Sequence, residues 1–208
     1  MNFIKKKQKT RIRGIFMKET LEIGLILARN EKMTTERLEL RPVNLSDAKD
    51  LYEYGSDEET TRYVFPTHQT IEETDASIAN YFMATPLGKW AIVWKETQKM
   101  IGTIDLRVDA SNRVGEIGYI LNKAYWGQGI VPEGCKKILR LSFVELELLR
   151  VCGYHDSRNP NSGKVMKKIG MTHEASIPNH SIHKGVSITM EQYGITNEKY
   201  LSIFSEKS

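Results

Sequence analysis

Two glycines, Gly127 and Gly129, stand in the short segment Trp126–Val131, between a predicted strand and a predicted helix. The first N–H groups of a helix have no partner within it, so they point at whatever group lies beyond its start. Glycine lets the backbone approach such a group closely and adopt angles that a side chain forbids. The pattern predicts binding of an anion such as a phosphate; a tight turn without a ligand is the alternative interpretation.

Other familiar sites for phosphate, metal or thiol chemistry are missing from the sequence. It has neither a Gly-x-x-x-x-Gly-Lys-Ser/Thr loop nor a Gly-x-Gly-x-x-Gly fingerprint, which argues against a nucleotide hydrolase or a Rossmann dehydrogenase. No further ligand residue accompanies His180 and His183, so no metal site is expected. Cys135 and Cys152 are the two cysteines. They form no disulfide framework, and they fit a reducing, cytoplasmic compartment.

The elements that position the glycine turn alternate between strand and helix patterns. Period-two alternation predicts strands over Arg37–Arg41, Trp90–Trp94, Met100–Arg107, Val114–Leu121 and Val151–His155. Helical spacing predicts helices after Ser46, over Glu72–Phe82, from Pro132 onward and over Lys164–Ile169. Ser46 and Thr70 are the predicted N-caps of the first two helices. The sequence therefore predicts one mixed α/β domain with an antiparallel meander at its centre.

Length and composition agree with a single globular domain. The chain has 208 residues, of which 40% are hydrophobic and 27% charged, and this balance excludes a disordered or fibrous protein. No window approaches the length of a membrane-spanning helix, so no membrane association is expected. The formal charge of +4 is concentrated at one end, because residues 1–32 carry nine basic and three acidic side chains.

Residues 1–32 are interpreted as a flexible basic extension, and residues 33–208 as the folded domain. The extension is an over-long start or cloning remnant, a docking arm, or an element of the fold; Met17 and Met33 are both plausible starts. As an arm it would bind RNA or ribosomes through phosphate contacts, and no other part of the chain is expected to bind nucleic acid.

Three motifs in a fixed order carry a family resemblance: Trp126–Val131, Asn159-x-x-Ser162 and Lys168-Ile169-Gly170-Met171. With them the chain resembles the GCN5-related N-acetyltransferases (GNAT), and within that family the RimJ/RimL-type branch, which acetylates protein N-termini, notably of ribosomal proteins. The resemblance covers residues 34–195 and ends with a last strand over Val186–Ile195. It implies a central, mostly antiparallel twisted sheet flanked by helices.

The resemblance implies acetyl-CoA as the donor. Its pyrophosphate would lie on the backbone N–H groups of the glycine turn, and its pantetheine arm would pair with the strand before the turn, as an added strand would. The implied contact residues are Ile120, Leu121, Gly127, Gln128, Gly129, Ile130, Val131, Asn159 and Ser162.

Two residues depart from the family pattern. Val131 stands where glycine or alanine is usual, and Pro132 where serine or threonine is usual. The valine would bring its β-branch near the phosphates, and the proline removes one N–H group, although proline is at ease in a first helical turn. Both changes are expected to weaken cofactor binding. They leave open a domain that binds CoA without catalysing transfer.

Acetyl transfer to an amine needs a base for the ammonium proton, a polarised carbonyl and a proton for the departing thiolate. Glu116 is the predicted base, because alternation places it on the same face as Gly118 and Ile120; a solvated strand position is the alternative. By resemblance, the Ser162 hydroxyl would meet the CoA sulfur, unless it caps the next helix. His155 is a weaker candidate for the base. Because neither cysteine has a basic partner, direct transfer is expected.

The acceptor is predicted to be a primary amine, held by the segments 57–70 and 178–185. The acidic run from Asp57 to Glu59 would attract a basic peptide, a polyamine or an aminoglycoside, unless it is a solvated helix end. Resemblance to the RimJ/RimL-type branch favours a protein or peptide N-terminus, such as that of a ribosomal protein. A polyamine or aminoglycoside is the alternative, and a homodimer is left open.

Overall fold

The computed structural model describes residues 22–204, which contain one sheet of eight strands. The strands are β1 (Met33–Thr34), β2 (Leu38–Arg41), β3 (Lys89–Trp94), β4 (Lys99–Asp109), β5 (Val114–Leu121), β6 (Arg150–Asp156), β7 (Thr172–His183) and β8 (Val186–Thr196). Their order across the sheet is β1-β2-β3-β4-β5-β6-β8-β7. All neighbouring pairs are antiparallel except β5 and β6, which confirms the predicted mostly antiparallel sheet.

Seven helices flank this sheet in the described part of the chain. They are α1 (22–29), α2 (Ala48–Gly55), α3 (Glu58–Thr61), α4 (Ile71–Ser77), α5 (Ile130–Arg140), α6 (Pro160–Lys168) and α7 (Asn197–Phe204). Helices α4 and α5 each continue into a π-helical turn, over Ile78–Met83 and Leu141–Glu145. Within residues 22–204, no helix has the length and apolar character needed to cross a bilayer.

Strands β5 and β6 separate after a short stretch of pairing. Only Val114–Glu116 of β5 pair with β6, opposite Arg150–Cys152. The remainder of β5, from Ile117 to Leu121, has β4 on one side and, among residues 22–204, no strand on the other. This gap is the feature of the sheet that positions the functional site.

Buried residues cover both faces of the sheet. On one face, Cys135 and Ile138 of α5 pack with Ile104 and Ile117 of the sheet, and all four are at most 2% exposed. On the other face, helices α2 and α4 with its π-helical turn cover Ala91, Val93 and Met100. The sheet is therefore sandwiched between two helical layers, and its gap opens to both.

Most predicted elements are present, with shifted ends. The three strands of the meander are confirmed within two residues. Helix α5 begins at Ile130, not at Pro132, because Gly129 is its N-cap, and α6 begins at Pro160, well before the predicted Lys164. Thr70 caps α4 as predicted. Ser46 caps nothing: the Asn44 side chain accepts the N–H of Ser46 at 3.0 Å and caps the 3-10 turn that leads into α2.

Part of the predicted flexible extension packs against the domain. Residues 22–29 form α1, whose Leu27 is 7% exposed within the main core. The Nε1–H of Trp90 donates to the carbonyl of Asn30 at 3.0 Å. The Asn30 amide in turn donates to Glu145 at 2.8 Å. Residues 22–32 thus belong to the domain by packing, while the basic run at residues 5–13 lies outside the described residues.

Replacing Leu27 by alanine is expected to lower the free energy of unfolding by about 2–4 kcal/mol, because it opens a cavity in the core. Leu25, on the same helix, is 51% exposed, and its replacement by alanine is expected to cost less than about 0.5 kcal/mol. Urea denaturation of both variants measures the difference. Equal effects would show that α1 does not pack on the domain in solution.

Candidate active site

The glycine turn opens a cleft beside the gap between β5 and β6. Gly127 and Gly129 have φ angles of +78° and +75°, which favour glycine, and Gly129 is the N-cap of α5. The first helical bond runs from the Glu133 N–H to the Gly129 carbonyl, at 3.1 Å. The N–H groups of Gly129, Ile130 and Val131 therefore have no acceptor within the helix, and they can bind an anion.

This cavity, here called the loop cleft, has a volume of about 440 Å³. It is lined by eight of the nine residues predicted to contact the cofactor, namely Ile120, Leu121, Gly127, Gly129, Ile130, Val131, Asn159 and Ser162. Gln128 does not line it. Its carbonyl accepts a hydrogen bond from the Arg37 guanidinium at 3.1 Å, and its side chain is exposed. The contacts of these residues with acetyl-CoA stay predictions.

The backbone groups of β5 that face the gap belong to Tyr119 and Leu121, whereas the predicted pair was Ile120 and Leu121. The Asn122 N–H donates to Ile101 in β4 at 2.7 Å, and the Ile120 carbonyl also faces β4, beside Gly102. Because backbone groups alternate along a strand, those of Leu121 and Tyr119 face the gap. The Leu121 carbonyl accepts the indole N–H of Trp126 at 2.8 Å, so its N–H is the group left for a ligand.

The two departures from the family pattern have different consequences. Val131 is 6% exposed and packs in the main core, so the β-branch is accommodated there while the backbone N–H stays at the helix start. Pro132 is the third residue of α5, where an N–H would have no helical acceptor anyway. Proline costs the helix nothing at this position, and it removes one donor from the loop cleft.

Glu133 fastens the start of α5 to the segment before β2. Its carboxylate accepts from the Thr35 hydroxyl at 2.6 Å, the Arg37 N–H at 3.0 Å and the Arg37 Nε at 2.7 Å. Burial would raise the pKa of Glu133, but these donors outweigh it and lower the pKa. The carboxylate therefore stays ionised and is bound to Thr35 and Arg37.

Ser162 lies in the first turn of α6, one of the walls of the gap. It does not cap that helix, because the N-cap is Asn159. The Asn159 amide donates to the Ser162 hydroxyl at 3.1 Å, and the Tyr119 hydroxyl donates to the Ser162 carbonyl at 2.9 Å. The Tyr119 hydrogen bond therefore links the start of α6 to β5. The proposed contact of its hydroxyl with the CoA sulfur stays a prediction.

A second cavity, here called the sheet cavity, lies on the other side of the gap and has a volume of about 510 Å³. Six residues line both cavities, which places the two volumes side by side: Tyr63, Val64, Tyr119, Ile120, Asn159 and Ser162. The sheet cavity also has aromatic walls, formed by Tyr54, Phe65, Tyr81, Phe82 and Tyr154. Such walls suit a cationic ligand.

Three charged side chains form the floor of the sheet cavity. Asp105 and Arg107 of β4 share a face with Glu116 of β5, because Asp105 pairs with Gly118 and Arg107 pairs with Glu116. The Arg107 guanidinium contacts both carboxylates, with a distance of 2.6 Å to Glu116 Oε1. Glu116 thus lies on the predicted face, although its side chain is 40% exposed and paired with a cation. Its role as base stays a prediction.

Sequence reasoning missed Asp105, Arg107 and Tyr81 as residues of this site. Tyr81 donates to Asp105 Oδ2 at 3.1 Å, across the sheet cavity. The signal in the sequence is weak: charged residues alternate along β4 as they do in any half-buried strand. Only the register with β5 shows that this face lines a cavity.

His155, the weaker candidate for the base, is buried at the end of β6. Its side chain is 8% exposed, and its Nδ1 lies 2.8 Å from the Asp156 carbonyl, to which Nδ1–H donates. Its Nε2 contacts no hydrogen-bonding partner among residues 22–204, and Tyr193 stacks on its ring at 5.5 Å. His155 lines the sheet cavity, so a role in catalysis stays a prediction.

The acidic segment predicted to attract the acceptor is already paired. Asp57 caps α3 and accepts from Lys123 at 2.7 Å, and together with the Thr60 hydroxyl this cation lowers the pKa of Asp57 to about 2. Glu59 lies 3.6 Å from the same lysine. The solvated helix end, weighed as the alternative, describes these residues better.

The segment after α3 covers the junction of the two cavities. Tyr63 lies under the Arg158 guanidinium, 5.7 Å from it, and the Arg62 carbonyl accepts from His183 of the β7–β8 hairpin at 3.0 Å. Segment 178–185 therefore touches segment 57–70, although none of its residues lines either cavity.

The two cysteines are poor nucleophiles. Burial raises the pKa of Cys135 and of Cys152, which keeps both thiols protonated. Within the described residues, no group of three or more His, Cys, Asp or Glu side chains is arranged to hold a metal ion. The chemistry available at the gap is therefore that of an anion site, an acidic cluster and a hydroxyl group.

Comparison with known proteins identifies this arrangement. A model of the acetyltransferase (GNAT) domain matches residues 37–172. The chain belongs to the GNAT family. An N-acetyltransferase of Bacillus licheniformis, p20, is 29% identical over 175 residues, which are 82% of this chain and 98% of p20. YnaD of Bacillus subtilis, also an N-acetyltransferase by name, is 30% identical over 68% of this chain and 83% of its own length.

Solved structures agree on the fold. A GNAT-family acetyltransferase from Bacillus anthracis superposes with a TM-score of 0.73 and 24% identity, over 80% of this chain and 99% of that protein. The GNAT chain described here is thus an acetyl-transferring enzyme that uses acetyl-CoA. The loop cleft fits that co-substrate, because unpaired N–H groups at the start of α5 suit a pyrophosphate.

Proposed function

We propose that this GNAT enzyme transfers the acetyl group of acetyl-CoA directly to a primary amine at a peptide or protein N-terminus. The observation that carries the proposal is the meeting of the two cavities at the gap between β5 and β6. The loop cleft would hold acetyl-CoA, which supplies the thioester. The sheet cavity would hold the acceptor, and the amine would reach the thioester through the gap.

The charge of the sheet cavity supports a cationic acceptor. Asp105 and Glu116 share one directly paired cation, the Arg107 guanidinium. The Lys89 ammonium lies near Asp105 but donates to the Tyr81 carbonyl instead. An ammonium group would complete the pairing, and the aromatic walls would favour it further. This preference holds for any primary amine.

The choice of a peptide amine has separate support. A Bacillus subtilis relative, YdaF, has a provisional name as a ribosomal N-acetyltransferase, and it is 30% identical over 102 residues, about half of each chain. A spermidine N-acetyltransferase chimera has the same fold, with a TM-score of 0.65 and 17% identity. A small-molecule amine is therefore the second candidate.

Release of CoA with a panel of amines tests the proposal. The panel contains hexapeptides that begin with serine, alanine or methionine, their N-terminally blocked forms, spermidine and an aminoglycoside. We expect turnover with at least one free peptide and none with its blocked form. Turnover with spermidine or the aminoglycoside alone would show that the acceptor is a small-molecule amine and not a peptide. No turnover with any amine would contradict the proposal.

A further inference from the structure

The carboxylate of Asp105 lies beside the part of β5 that has no strand on its other side. Asp105 pairs with Gly118, whereas the pairing of β5 with β6 ends at Glu116. A side chain at position 118 would have its Cβ 2.5 Å from Asp105 Oδ1. Glycine at this position therefore leaves the carboxylate free to lie over β5 next to the gap.

Four ionisable groups, each on a different element, face this carboxylate. Arg107 and the Tyr81 hydroxyl contact it directly, and Glu116 and Lys89 lie close enough to act on its charge. Tyr81 also has the Lys89 ammonium over its ring, 3.8 Å from the centre. On the opposite face of the sheet, Cys135 of α5 lies near Asp105 as well. The Asp105 side chain is only 13% exposed, so this set of partners fixes its position.

We infer that Asp105 accepts the proton of the acceptor ammonium group, a step that rests on the acetyl transfer proposed above. The ammonium gives one proton to the Asp105 carboxylate, and the freed lone pair of the nitrogen forms a bond to the acetyl carbon. The bond between that carbon and sulfur breaks, and a second proton of the amine passes to the leaving sulfur. Asp105 then returns its proton to solvent. The products are the amide, the thiol and one proton.

Glu116, the residue predicted from the sequence, is less suited to this step. It stands at the last position of β5 that pairs with β6, and its side chain is 40% exposed. Asp105 lies two pairs further along, beside the open gap, and is more buried, although Arg107 contacts both carboxylates. In this account Glu116 holds Arg107 in place, and Asp105 is the catalytic residue.

The surroundings of Asp105 also suit a base. Burial raises the pKa of the Asp105 carboxyl, and the neighbouring charge of Glu116 adds to the rise; Arg107, the Tyr81 hydroxyl and Lys89 oppose it. A carboxylate with a raised pKa takes a proton from an ammonium group more readily than an ordinary one. The ionised form is the reactive one, so turnover should rise with pH as Asp105 loses its proton.

Three variants test the inference against the Glu116 alternative: Asp105→Asn, Glu116→Gln and the control Asp109→Asn. Asp109 is on the same strand, but its carboxylate binds Ser111 and Asn112 in the turn after β4. With the best peptide of the panel, we expect Asp105→Asn to lower kcat at least 100-fold. Glu116→Gln should lower kcat less than 10-fold, and Asp109→Asn should leave it within twofold.

The pH profile separates a catalytic from a structural role. We expect the pH profile of kcat of the wild type to have a rising limb. The Asp105→Asn variant should lack this limb, and the Glu116→Gln variant should retain it. Tyr81→Phe removes a donor that stabilises the ionised carboxylate, so the limb should move to higher pH. Calorimetric titration with acetyl-CoA should give a Kd within twofold of the wild type for every variant, which shows that each is folded.

The outcomes distinguish this inference from the function on which it rests. If Asp105→Asn binds acetyl-CoA and retains kcat within threefold of an active wild type, or if Glu116→Gln loses the pH limb instead, Asp105 is not the base. If the wild type transfers acetyl to no amine in the panel, the proposed function fails and the inference falls with it. Protein stability is an independent readout. The pKa of Asp105 is raised in the folded state, so its protonated form favours folding. The wild type should therefore lose stability relative to Asp105→Asn as the pH rises through that pKa.

Discussion

Valine in place of Gly129 is expected to weaken acetyl-CoA binding about 100-fold. Gly129 has a φ of +75° at the N-cap of α5, and a β-branched residue is strained there by about 1–3 kcal/mol. Relief of that strain would rotate the N–H groups at the start of α5 that are predicted to bind the phosphates. Each hydrogen bond to a charged group contributes about 1.5–3 kcal/mol, so disturbing one or two accounts for the expected loss. Titration calorimetry with acetyl-CoA measures it.

Gly185 provides a matched control for this variant. It has a φ of +78° in the turn between β7 and β8, and a Cβ added there would have no atom within 4 Å. Gly185→Val should therefore bring similar backbone strain, seen as a lower melting temperature, with unchanged affinity for acetyl-CoA. An equal loss of affinity in both variants would mean that strain, and not the anion site, is responsible.

The largest loss of stability is expected from Trp90→Ala. Trp90 is 1% exposed in the main core, and its indole N–H is bonded to Asn30 after α1. Truncation would leave a large cavity and release this link, at a cost of about 3–5 kcal/mol in the free energy of unfolding. Urea denaturation followed by circular dichroism measures the change.

Trp126 provides the comparison for the same substitution. Trp126 is 41% exposed at the loop cleft, and its indole N–H donates to the Leu121 carbonyl. Trp126→Ala is expected to cost about 1 kcal/mol. A Trp90→Ala variant as stable as Trp126→Ala would contradict the packing of β3 beneath α1.

The sheet could be predicted well because its signals are local. Strands β3, β4 and β5 have alternating apolar residues with polar turns between them, and the structure pairs all three as a meander. The prediction that Thr70 is the N-cap of α4 was correct for the same reason. The prediction that Ser46 is an N-cap was wrong, because a better acceptor, Asn44, stands two residues earlier and forms a capping box with Asp47.

Elements that depend on distant contacts were harder to predict. Helix α1 has a weak apolar pattern, and its place is decided by contacts of Leu27 and Asn30 with residues far along the chain. The loop predicted from Pro178 is largely strand: β7 runs through Pro178 to His183. Proline fits there because β7 is an edge strand with a register shift between Ile177 and Ser181.

The candidate site also has one part that local sequence predicts and one part that depends on distant contacts. The turn at Gly127 and Gly129 is contiguous in the chain, so its residue types and spacing were sufficient to predict a turn and a helix start there, within two residues of the observed one. The acidic floor is not contiguous: the place of Asp105 beside the gap follows from its register with Gly118 and from the end of pairing between β5 and β6. Neither is visible in one sequence.

The central claim is that the two cavities hold the donor and the acceptor on opposite sides of one gap. A single ligand that spans both tests it most directly: CoA whose sulfur is joined through an acetyl linker to the N-terminal amine of the best peptide in the panel. Calorimetric titration should show this conjugate binding at least about 100-fold more tightly than CoA alone, because it occupies both cavities at once. An affinity no higher than that of CoA would contradict the account.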